Sequence, residues 1–343
     1  MPYTVQSSEK LKKSGSEMET KALLYLMNFN EDSNEIFYFV VDLFNDLTGM
    51  NRTARKMWDL QSKASKNNSP KAIGRELVTL YKNYVSDFEF GAYYLFIGGV
   101  STTVRKDASK NIFAIDNLTE KSLNAVIIGL KDECRDKVYI SDSDIDDNKI
   151  NDFLSKVRFV VDDKTPEEYV KRIIINHPQL IPEDDALLAI FNEIRDKQSS
   201  KKNICVVENL TLDRVDEALD FYRHLTSSEI KLMVLQRLLN RDILEKGVPE
   251  PFIDIYTKCP VERRQDLLDD CKSDCCRALF NNNCAEGYWS FFECIYKLIT
   301  EDSSRTVSEV YDLVPDEILN ACVDFNATSY KFFIAIVKEG LKP

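Results

Sequence analysis

The sequence predicts an α/β unit followed by a mostly α-helical unit. Two runs of strand formers, Ile36-Phe37-Tyr38-Phe39-Val40-Val41 and Tyr93-Tyr94-Leu95-Phe96-Ile97, lie among segments with helical periodicity. From Thr165 onward nearly every segment has the period of a helix. We therefore expect an α/β domain over residues 1–164 and a helical domain, suited to partner binding or self-association, over residues 165–343.

The first predicted element is a helix over about residues 17–28. Glu19, Leu23 and Leu26 fall at positions i, i+4 and i+7, so they share one helical face. Because that face carries the apolar stripe, we expect the Glu19 carboxylate to point inward.

Two extended segments follow this helix. The first ends on Asp42, and after a turn-like stretch that holds Gly49 the second runs over about residues 53–63. Side chains alternate along a strand, so Gln61 and Lys63 share a face. We expect Asp42 to face them from the neighbouring strand.

The order of these elements and residues resembles the PD-(D/E)XK nuclease superfamily. It is most similar to the endonuclease domain of bacterial anti-phage effectors, found in cyclic-oligonucleotide (CBASS) systems and in Lamassu systems. That branch typically has Gln in place of the second acid, as in Gln61-Ser62-Lys63, and a similar opening to Ser14-Gly15. The resemblance covers about the first third to half of the chain and implies a restriction-endonuclease-like fold.

The resemblance implies a site that hydrolyses phosphodiesters with Mg²⁺ or Mn²⁺. Asp42 and Glu19 would be the metal ligands, with the amide oxygen of Gln61 as a weaker third. Lys63 would hold the attacking water or the charge that develops on the phosphate. The resemblance therefore implies four catalytic candidates, namely these four residues.

Each of these residues also has an ordinary structural interpretation. Ser16-x-x-Glu19 has the spacing of a capping box. Asp42 is placed to cap the turn after its strand, and Gln61 with Lys63 is compatible with a solvated strand face. The reserve ligands are Glu17 for the helix and Asp59 for the strand.

The net charge of −12 is unevenly distributed. Residues 1–115 carry 15 Lys and Arg against 13 Asp and Glu, a balance of +2, which leaves −14 for the remainder. The mildly basic part holds the proposed site and is suited to weak, salt-dependent contacts with DNA phosphates. The candidate DNA-binding residues are Arg52, Arg55, Lys56, Lys66, Lys71 and Arg75.

The composition constrains location and metal class. No apolar run approaches 18 residues, so we expect no membrane span and a cytoplasmic protein. Nine cysteines, an odd number, favour reduced thiols. The cluster Cys271, Cys275, Cys276, Cys284 and Cys294 lacks a C-x-x-C pair, so we interpret it as core thiols with zinc as the alternative.

The rest of the chain is predicted from local signals. Asn67-Asn68-Ser69-Pro70 marks a helix start, and Thr165-Pro166-Glu167-Glu168 forms a capping box. Further helices are expected at about 118–133, 183–197, 212–225, 227–240, 262–280, 286–300, 314–323 and 328–340. Strands are expected at about 138–140, 157–161 and 204–207.

These observations favour a DNA endonuclease subunit of a defence complex. By resemblance its partners are double-stranded DNA, an SMC-like ATPase and a small accessory subunit, with a dimer or tetramer of this chain when active. Two alternatives stay open: a catalytically inert interaction subunit that keeps the fold, and a stand-alone CBASS-type effector activated by a cyclic nucleotide.

Overall fold

The computed structural model describes residues 3–5, 13–244, 246–281 and 285–341. They divide into two compact units. The first comprises the described residues through Tyr169 together with Phe191–Ser227, and the second comprises Val170–Ile190 with the described residues from Ser228 onward. Residues 191–227, which the sequence analysis assigned to the helical domain, thus belong to the first unit because they supply strands to it.

The strands of the described residues belong to a two-stranded and a seven-stranded sheet. The strands are β1 (Tyr3–Thr4), β2 (Tyr38–Val41), β3 (Leu47–Met50), β4 (Met57–Lys63), β5 (Ala92–Ile97), β6 (Ile112–Phe113), β7 (Val157–Val161), β8 (Thr211–Leu212) and β9 (His224–Thr226). The large sheet has the order β6-β7-β5-β4-β3-β2-β9, and β1 pairs with β8. The β4–β5 and β5–β7 pairs are parallel, and the other pairs are antiparallel.

The helices surround this sheet in the first unit and form most of the second unit. The helices are α1 (Lys13–Asn28), α2 (Pro70–Glu76), α3 (Val78–Tyr84), α4 (Glu120–Arg135), α5 (Asp147–Lys156), α6 (Pro166–Lys171), α7 (Asp184–Lys202), α8 (Ser227–Leu238), α9 (Ile253–Lys258), α10 (Arg264–Phe280), α11 (Ala285–Glu301), α12 (Val307–Asp312), α13 (Asp316–Ala321) and α14 (Ala327–Gly340). The mixed α/β and mostly helical parts expected from the sequence are confirmed. Both local start signals are also confirmed, since Ser69 caps α2 and the Thr165–Glu168 box precedes α6.

The topology places four chain segments at one end of the sheet. Val41 of β2 pairs with Leu47 of β3, which pairs with Leu60 of β4. β3 is antiparallel to both neighbours, so the end of β2, the start of β3 and the end of β4 meet there. Arg223, immediately before β9, joins the same end through its carbonyl, which accepts a hydrogen bond from Val41 N at 2.7 Å.

The two faces of β4 contact different helices. Trp58 and Leu60 are fully buried on the face that packs on α1. Gln61 and Asp59 face α3, where Thr79 and Asn83 donate hydrogen bonds to them. The alternation predicted from the sequence is therefore confirmed, and it decides which side chains lie on each side of the sheet.

The stretch around Gly49 is a strand, so the prediction of a turn there is wrong. β3 lies between β2 and β4, so the expectation that Asp42 faces Gln61 and Lys63 from a neighbouring strand is wrong. A Cβ at Gly49 would come within 3.0 Å of Ile36 Cγ2. Close packing on Ile36, rather than a turn, accounts for glycine at this position.

Three other local predictions are wrong. Residues 212–225 hold a short 3-10 helix, Val215–Phe221, followed by β9, because the exposed edge of β2 offers the backbone of β9 a hydrogen-bonding partner. Residues 204–207 and 138–140 form no strand, and Val138 is fully exposed. Short apolar runs of this kind do not specify their structure locally.

The second unit is built on an aromatic core. Phe291, Phe325, Tyr330 and Phe333 make mutual ring contacts with centroids 4.9–6.1 Å apart. Within the described residues, none of the helices combines the length and apolar character needed to cross a bilayer.

Candidate functional site

The connection between β2 and β3 carries two carboxylates. Asp42 adopts a positive φ of 53°, and its N–H donates to the carbonyl of Asp46 at 3.2 Å, which closes the connection. Oδ2 of Asp46 accepts hydrogen bonds from Ser62 N at 2.8 Å and Ser62 Oγ at 3.0 Å. β3 begins at Leu47 beside Leu60, so the Asp46 carboxylate, which directly precedes β3, takes the backbone donor of Ser62 in β4.

Asp46 is a site residue that the sequence analysis missed. It directly precedes β3, and that strand was taken for a turn because it contains Gly49. The available signal was the run Leu47-Thr48-Gly49-Met50, which contains β-branched and apolar residues and directly follows the aspartate. Asp42 was placed correctly at the end of β2.

Gln61 and Lys63 lie at the end of β4, as expected. Gln61 is buried, and its Oε1 accepts a hydrogen bond from Thr79 Oγ1 at 3.0 Å. Lys63 Nζ lies 3.3 Å from Glu76 Oε2 and is partly exposed. The alternative of a solvated strand face is wrong for Gln61 because helix α3 covers it.

A pocket of about 510 Å³ opens at this end of the sheet. Asp42, Asp46, Gln61 and Lys63 all contribute to its lining. Arg75, Lys82 and Lys137 line it as well, together with Glu76 and Glu133. The pocket thus joins a carboxylate pair to a group of cationic side chains, a combination suited to a phosphate ester with a bound divalent cation.

Glu19 reaches the same end of the sheet from α1 and lies outside the pocket lining. Its Oε2 forms an ion pair of 2.7 Å with Lys202 Nζ, and both side chains are largely buried. Glu17 instead is half exposed and lies 3.7 Å from Lys21. The inward direction predicted for Glu19 is therefore confirmed.

The capping-box interpretation of Ser16 and Glu19 is wrong. α1 begins at Lys13, so Ser16 lies inside the helix, where its carbonyl accepts a hydrogen bond from Thr20 Oγ1 at 2.9 Å. Glu19 is left available for Lys202.

Asp42 is held by an arginine from the far part of the chain. Its Oδ2 lies 3.0 Å from an Nη atom of Arg223, whose side chain is 2% exposed. The sequence analysis missed Lys202 and Arg223, since each follows more than a hundred residues after the carboxylate that it contacts. No local pattern in the sequence marks either of them.

Burial raises the pKa of all three carboxyl groups. The pKa of Glu19 rises to about 7 because burial outweighs the Lys202 ammonium, and Asp46 and Asp42 raise it further. Burial also raises the pKa of Asp42, which the charges of Lys202 and Arg223 lower. For Asp46 burial again raises the pKa, while its bonds from Ser62 and the charges of Lys63 and Lys202 oppose that rise.

Asp59, the reserve ligand, lies in the core. It is 0% exposed, and it accepts hydrogen bonds from Asn83 at 2.6 Å, Thr48 at 3.3 Å and Asn45 at 3.5 Å. Burial raises its pKa to about 7. Its position beneath the pocket is structural, so it is unsuited to bind a metal from solvent.

The raised pKa of Asp59 gives a stability prediction. An acid whose pKa is higher in the folded chain stays protonated while the unfolded chain ionises, so stability falls as pH rises from about 4 to 7. Asp59→Asn, with its amide donating to Thr48, should remove that part of the pH dependence. We expect the free energy of unfolding of the variant, measured in urea, to increase relative to that of the wild type between pH 4 and pH 7. The increase should reach up to about 4 kcal/mol, the energy equivalent of the change in pKa.

The comparison with wild type isolates the effect of Asp59, because both chains share the other carboxyl groups whose pKa is raised. Burial lowers the pKa of Lys82 to about 8, so its effect falls above this pH window. Parallel stability curves for the two chains between pH 4 and 7 would contradict the prediction.

The six candidate DNA-binding residues fall into two groups. Arg52, Arg55 and Lys56 lie in the hairpin between β3 and β4, at the opposite end of β4 from Lys63. Lys56 is paired with Glu35 at 3.0 Å, and Arg52 lies over the ring of Phe37. This group is too far from the pocket to hold the same phosphates.

The other group lies beside the site. Lys66 is exposed just after β4, and exposed Arg75 lines the pocket. Lys71 is exposed and pairs with Asp132 at 2.8 Å. The structure thus brings Lys66, Lys71 and Arg75 to the Lys63 end of the sheet.

The carboxylates of the site are engaged by protein groups. Within the described ranges, no three His, Cys, Asp or Glu side chains are gathered to hold a metal ion. Glu19 contacts Lys202, Asp42 contacts Arg223, and Asp46 binds Ser62, so each acid has a partner within the chain. The acidic segment 142–147, which is described throughout, shows no such grouping either.

The cysteines give no metal centre in the part of the chain that the structure describes. All eight described cysteines are free thiols, and burial raises the pKa of Cys271 to about 11 and that of Cys275 as well. Cys284 lies outside the described residues. Of the described members of the cluster, Cys271 and Cys275 are buried, and Cys276 and Cys294 are half-buried.

No family model, curated protein or solved structure matches this chain.

Proposed function

We propose that this chain is a metal-dependent endonuclease that cleaves double-stranded DNA. The observation that supports the proposal is the meeting of Asp42, Asp46, Gln61 and Lys63 in one open pocket at the end of the sheet. Phosphodiester hydrolysis needs anionic oxygen ligands for a cation and a positive charge near the scissile phosphate. The restriction-endonuclease-like fold suggested by the resemblance belongs to the same proposal.

The donor set fits Mg²⁺ or Mn²⁺ in its chemistry. Both ions prefer oxygen ligands, and Glu19, Asp42 and Asp46 supply carboxylates while Gln61 supplies an amide oxygen. One cation, the Lys202 ammonium, already pairs with Glu19. When bound, the divalent cation would lower the pKa of a water molecule and neutralise charge on the phosphate.

The remaining residues orient and balance the site. Ser62 fixes the Asp46 carboxylate through two hydrogen bonds, so its position does not depend on a bound ion. Thr79 orients the Gln61 amide from α3. Lys63 would stabilise the negative charge that develops at the phosphate, and its ion pair with Glu76 holds it at the pocket.

DNA contact is proposed for the group beside the pocket. Lys66, Lys71 and Arg75 supply the positive charge near Lys63, whereas the hairpin group lies at the other end of β4. Three or four phosphate contacts give modest, salt-sensitive affinity. A lone chain with a net charge of −12 should therefore hold DNA weakly.

Weak affinity favours cleavage by an assembled form. One site cuts one strand, so a double-strand break needs two sites, and grouping several chains raises their effective concentration on DNA. We propose a dimer or tetramer as the active form. An SMC-like ATPase and a small accessory subunit, the partners suggested by the resemblance, would hold the chain inactive.

Plasmid cleavage across a concentration series, with light scattering on the same samples, tests the proposal. We expect nicking and then linearisation in Mg²⁺ or Mn²⁺, none in EDTA, and a rate that rises more steeply than protein concentration. Linear products from a demonstrated monomer would contradict the assembly step, and intact plasmid at every concentration would contradict the nuclease.

A catalytically inert interaction subunit is the second candidate. It is favoured by the ion pairs of Glu19 with Lys202 and Asp42 with Arg223, which satisfy the acids without a metal. The same cleavage series separates the two candidates. An inert subunit would leave the plasmid intact and would bind no divalent cation at these carboxylates.

A further inference from the structure

The ammonium group of Lys202 forms an ion pair with Glu19, one of the carboxylates of the proposed site. It lies 2.7 Å from Glu19 Oε2, and its side chain is 8% exposed. Burial raises the pKa of Asp42, and the charge of Lys202 lowers it, as does the Arg223 guanidinium that contacts Asp42 directly. The charge of Lys202 acts on Asp46 as well. One buried cation thus contacts Glu19 and also opposes the rise in the pKa of two further acids, Asp42 and Asp46.

Helix α7 fixes Lys202 at this position through a second contact. Gln198 lies one helical turn before Lys202, so both project from the same side of α7. Gln198 Oε1 accepts a hydrogen bond of 2.8 Å from Thr20 Oγ1, and both residues are buried. Thr20 directly follows Glu19, so two adjacent residues of α1 bind two successive turns of α7.

Lys202 is also the last residue of α7. The helix begins at Asp184 in the second unit and ends in the first, so it is a covalent part of both. A residue at a helix end leaves its contacts when only the last turn unwinds, and this costs less than moving an interior residue. The position therefore suits a removable cation better than a permanent one.

We propose that Lys202 is an internal counter-ion that occupies the cation position of Glu19, Asp42 and Asp46, so that a divalent metal binds there only after Lys202 is withdrawn. The inference rests on the proposed function, because it assumes that these acids are the metal ligands. It adds a regulatory step, because the Lys202 ammonium competes with the metal for the carboxylates while the pocket itself stays open. An ammonium and a divalent cation cannot share the site without strong repulsion.

The test is calorimetric titration of the full chain with Mn²⁺ alone. Lys202→Met keeps the length of the side chain and removes its charge. We expect Mn²⁺ affinity to rise about tenfold or more over wild type, because one repelling charge has left the site. Lys201→Met, on the preceding residue with no contact to the three acids, should bind Mn²⁺ as wild type does.

Stability supplies a second measurement. Without metal, Lys202→Met removes the ion-pair partner of the buried Glu19 carboxylate, so its melting temperature should fall and then recover in Mn²⁺. If that variant does not fold, the double variant Glu19→Gln/Lys202→Met removes one negative and one positive charge together. It should bind Mn²⁺ more tightly than Glu19→Gln alone.

The outcomes separate this inference from the proposed function. Equal Mn²⁺ affinity in wild type and Lys202→Met would overturn the counter-ion while leaving the metal site intact. No binding in either folded chain would overturn both. Unchanged Mn²⁺ affinity with lost plasmid cleavage in Lys202→Met would make Lys202 a part of the chemistry and would also overturn the counter-ion.

Discussion

Asp46→Asn is expected to reduce Mg²⁺-dependent plasmid cleavage by two orders of magnitude or more, on the order of the losses seen when a charge-stabilising group is removed from an active site. The substitution removes a negative charge beside Asp42 and keeps the side-chain volume. The Asn oxygen still accepts a hydrogen bond from Ser62 N, so the connection between β2 and β3 should be preserved. Asp42→Ala should abolish cleavage in the same way.

The control for these variants is Glu17→Gln. It removes one carboxylate from the exposed side of α1, two residues from Glu19, without touching the pocket. It should cleave at the wild-type rate, whereas Glu19→Gln should lose activity. Wild-type cleavage by a stably folded Asp46→Asn chain would exclude these carboxylates as the metal site.

Lys63→Ala is expected to lower turnover by about 10²–10³-fold while DNA affinity changes little. Its ammonium lies at the pocket beside Glu76, where it would act on the scissile phosphate rather than on the length of the duplex. One phosphate contact among several contributes little to non-specific affinity and shifts the salt-dependence slope by about one at most. Single-turnover cleavage and a filter-binding titration measure the two effects separately.

Lys66→Ala provides the matched comparison. Lys66 is exposed just after β4, so its loss should weaken DNA binding slightly and leave the saturated rate unchanged. The two lysines, three positions apart, should thus show opposite patterns. A large fall in DNA affinity for Lys63→Ala with normal turnover would make Lys63 a DNA tether.

The sequence predicted those site residues whose placement depends on local rules. Strand alternation placed Gln61 and Lys63 together, the end of an apolar run placed Asp42, and helical periodicity turned Glu19 inward. Each of these inferences needs only a few neighbouring residues. The same applies to the caps at Ser69 and Thr165, whose hydrogen bonds lie within four residues.

The predictions that failed concern residues whose positions depend on tertiary contacts. Gly49 was assigned to a turn because glycine usually marks one, but here it lies within a strand and packs closely on Ile36, and this hid Asp46. Arg223 lies 181 residues from Asp42 along the chain, and its strand forms only against the edge of β2. Lys202 is likewise brought to Glu19 by the fold alone.

The prediction that the Arg52–Lys56 cluster binds DNA beside the site failed for a related reason. Its basic residues are close to Lys63 in sequence, and proximity in sequence suggested one surface. A seven-residue strand, β4, separates them, and at about 3.3 Å per residue this puts the two ends some 20 Å apart. Basic residues that are close in sequence therefore indicate a shared binding surface only if they lie at the same end of the strand.

We propose that Glu19, Asp42 and Asp46 bind a divalent cation once Lys202 has left, and anomalous X-ray scattering from Mn²⁺ would locate that ion. Crystals of wild type and of Lys202→Met would be soaked in Mn²⁺ and measured near the manganese absorption edge. We expect an anomalous peak among these carboxylates in Lys202→Met, and a weaker peak or none in wild type. Manganese bound only at other acids, with this cluster empty in both crystals, would contradict the account.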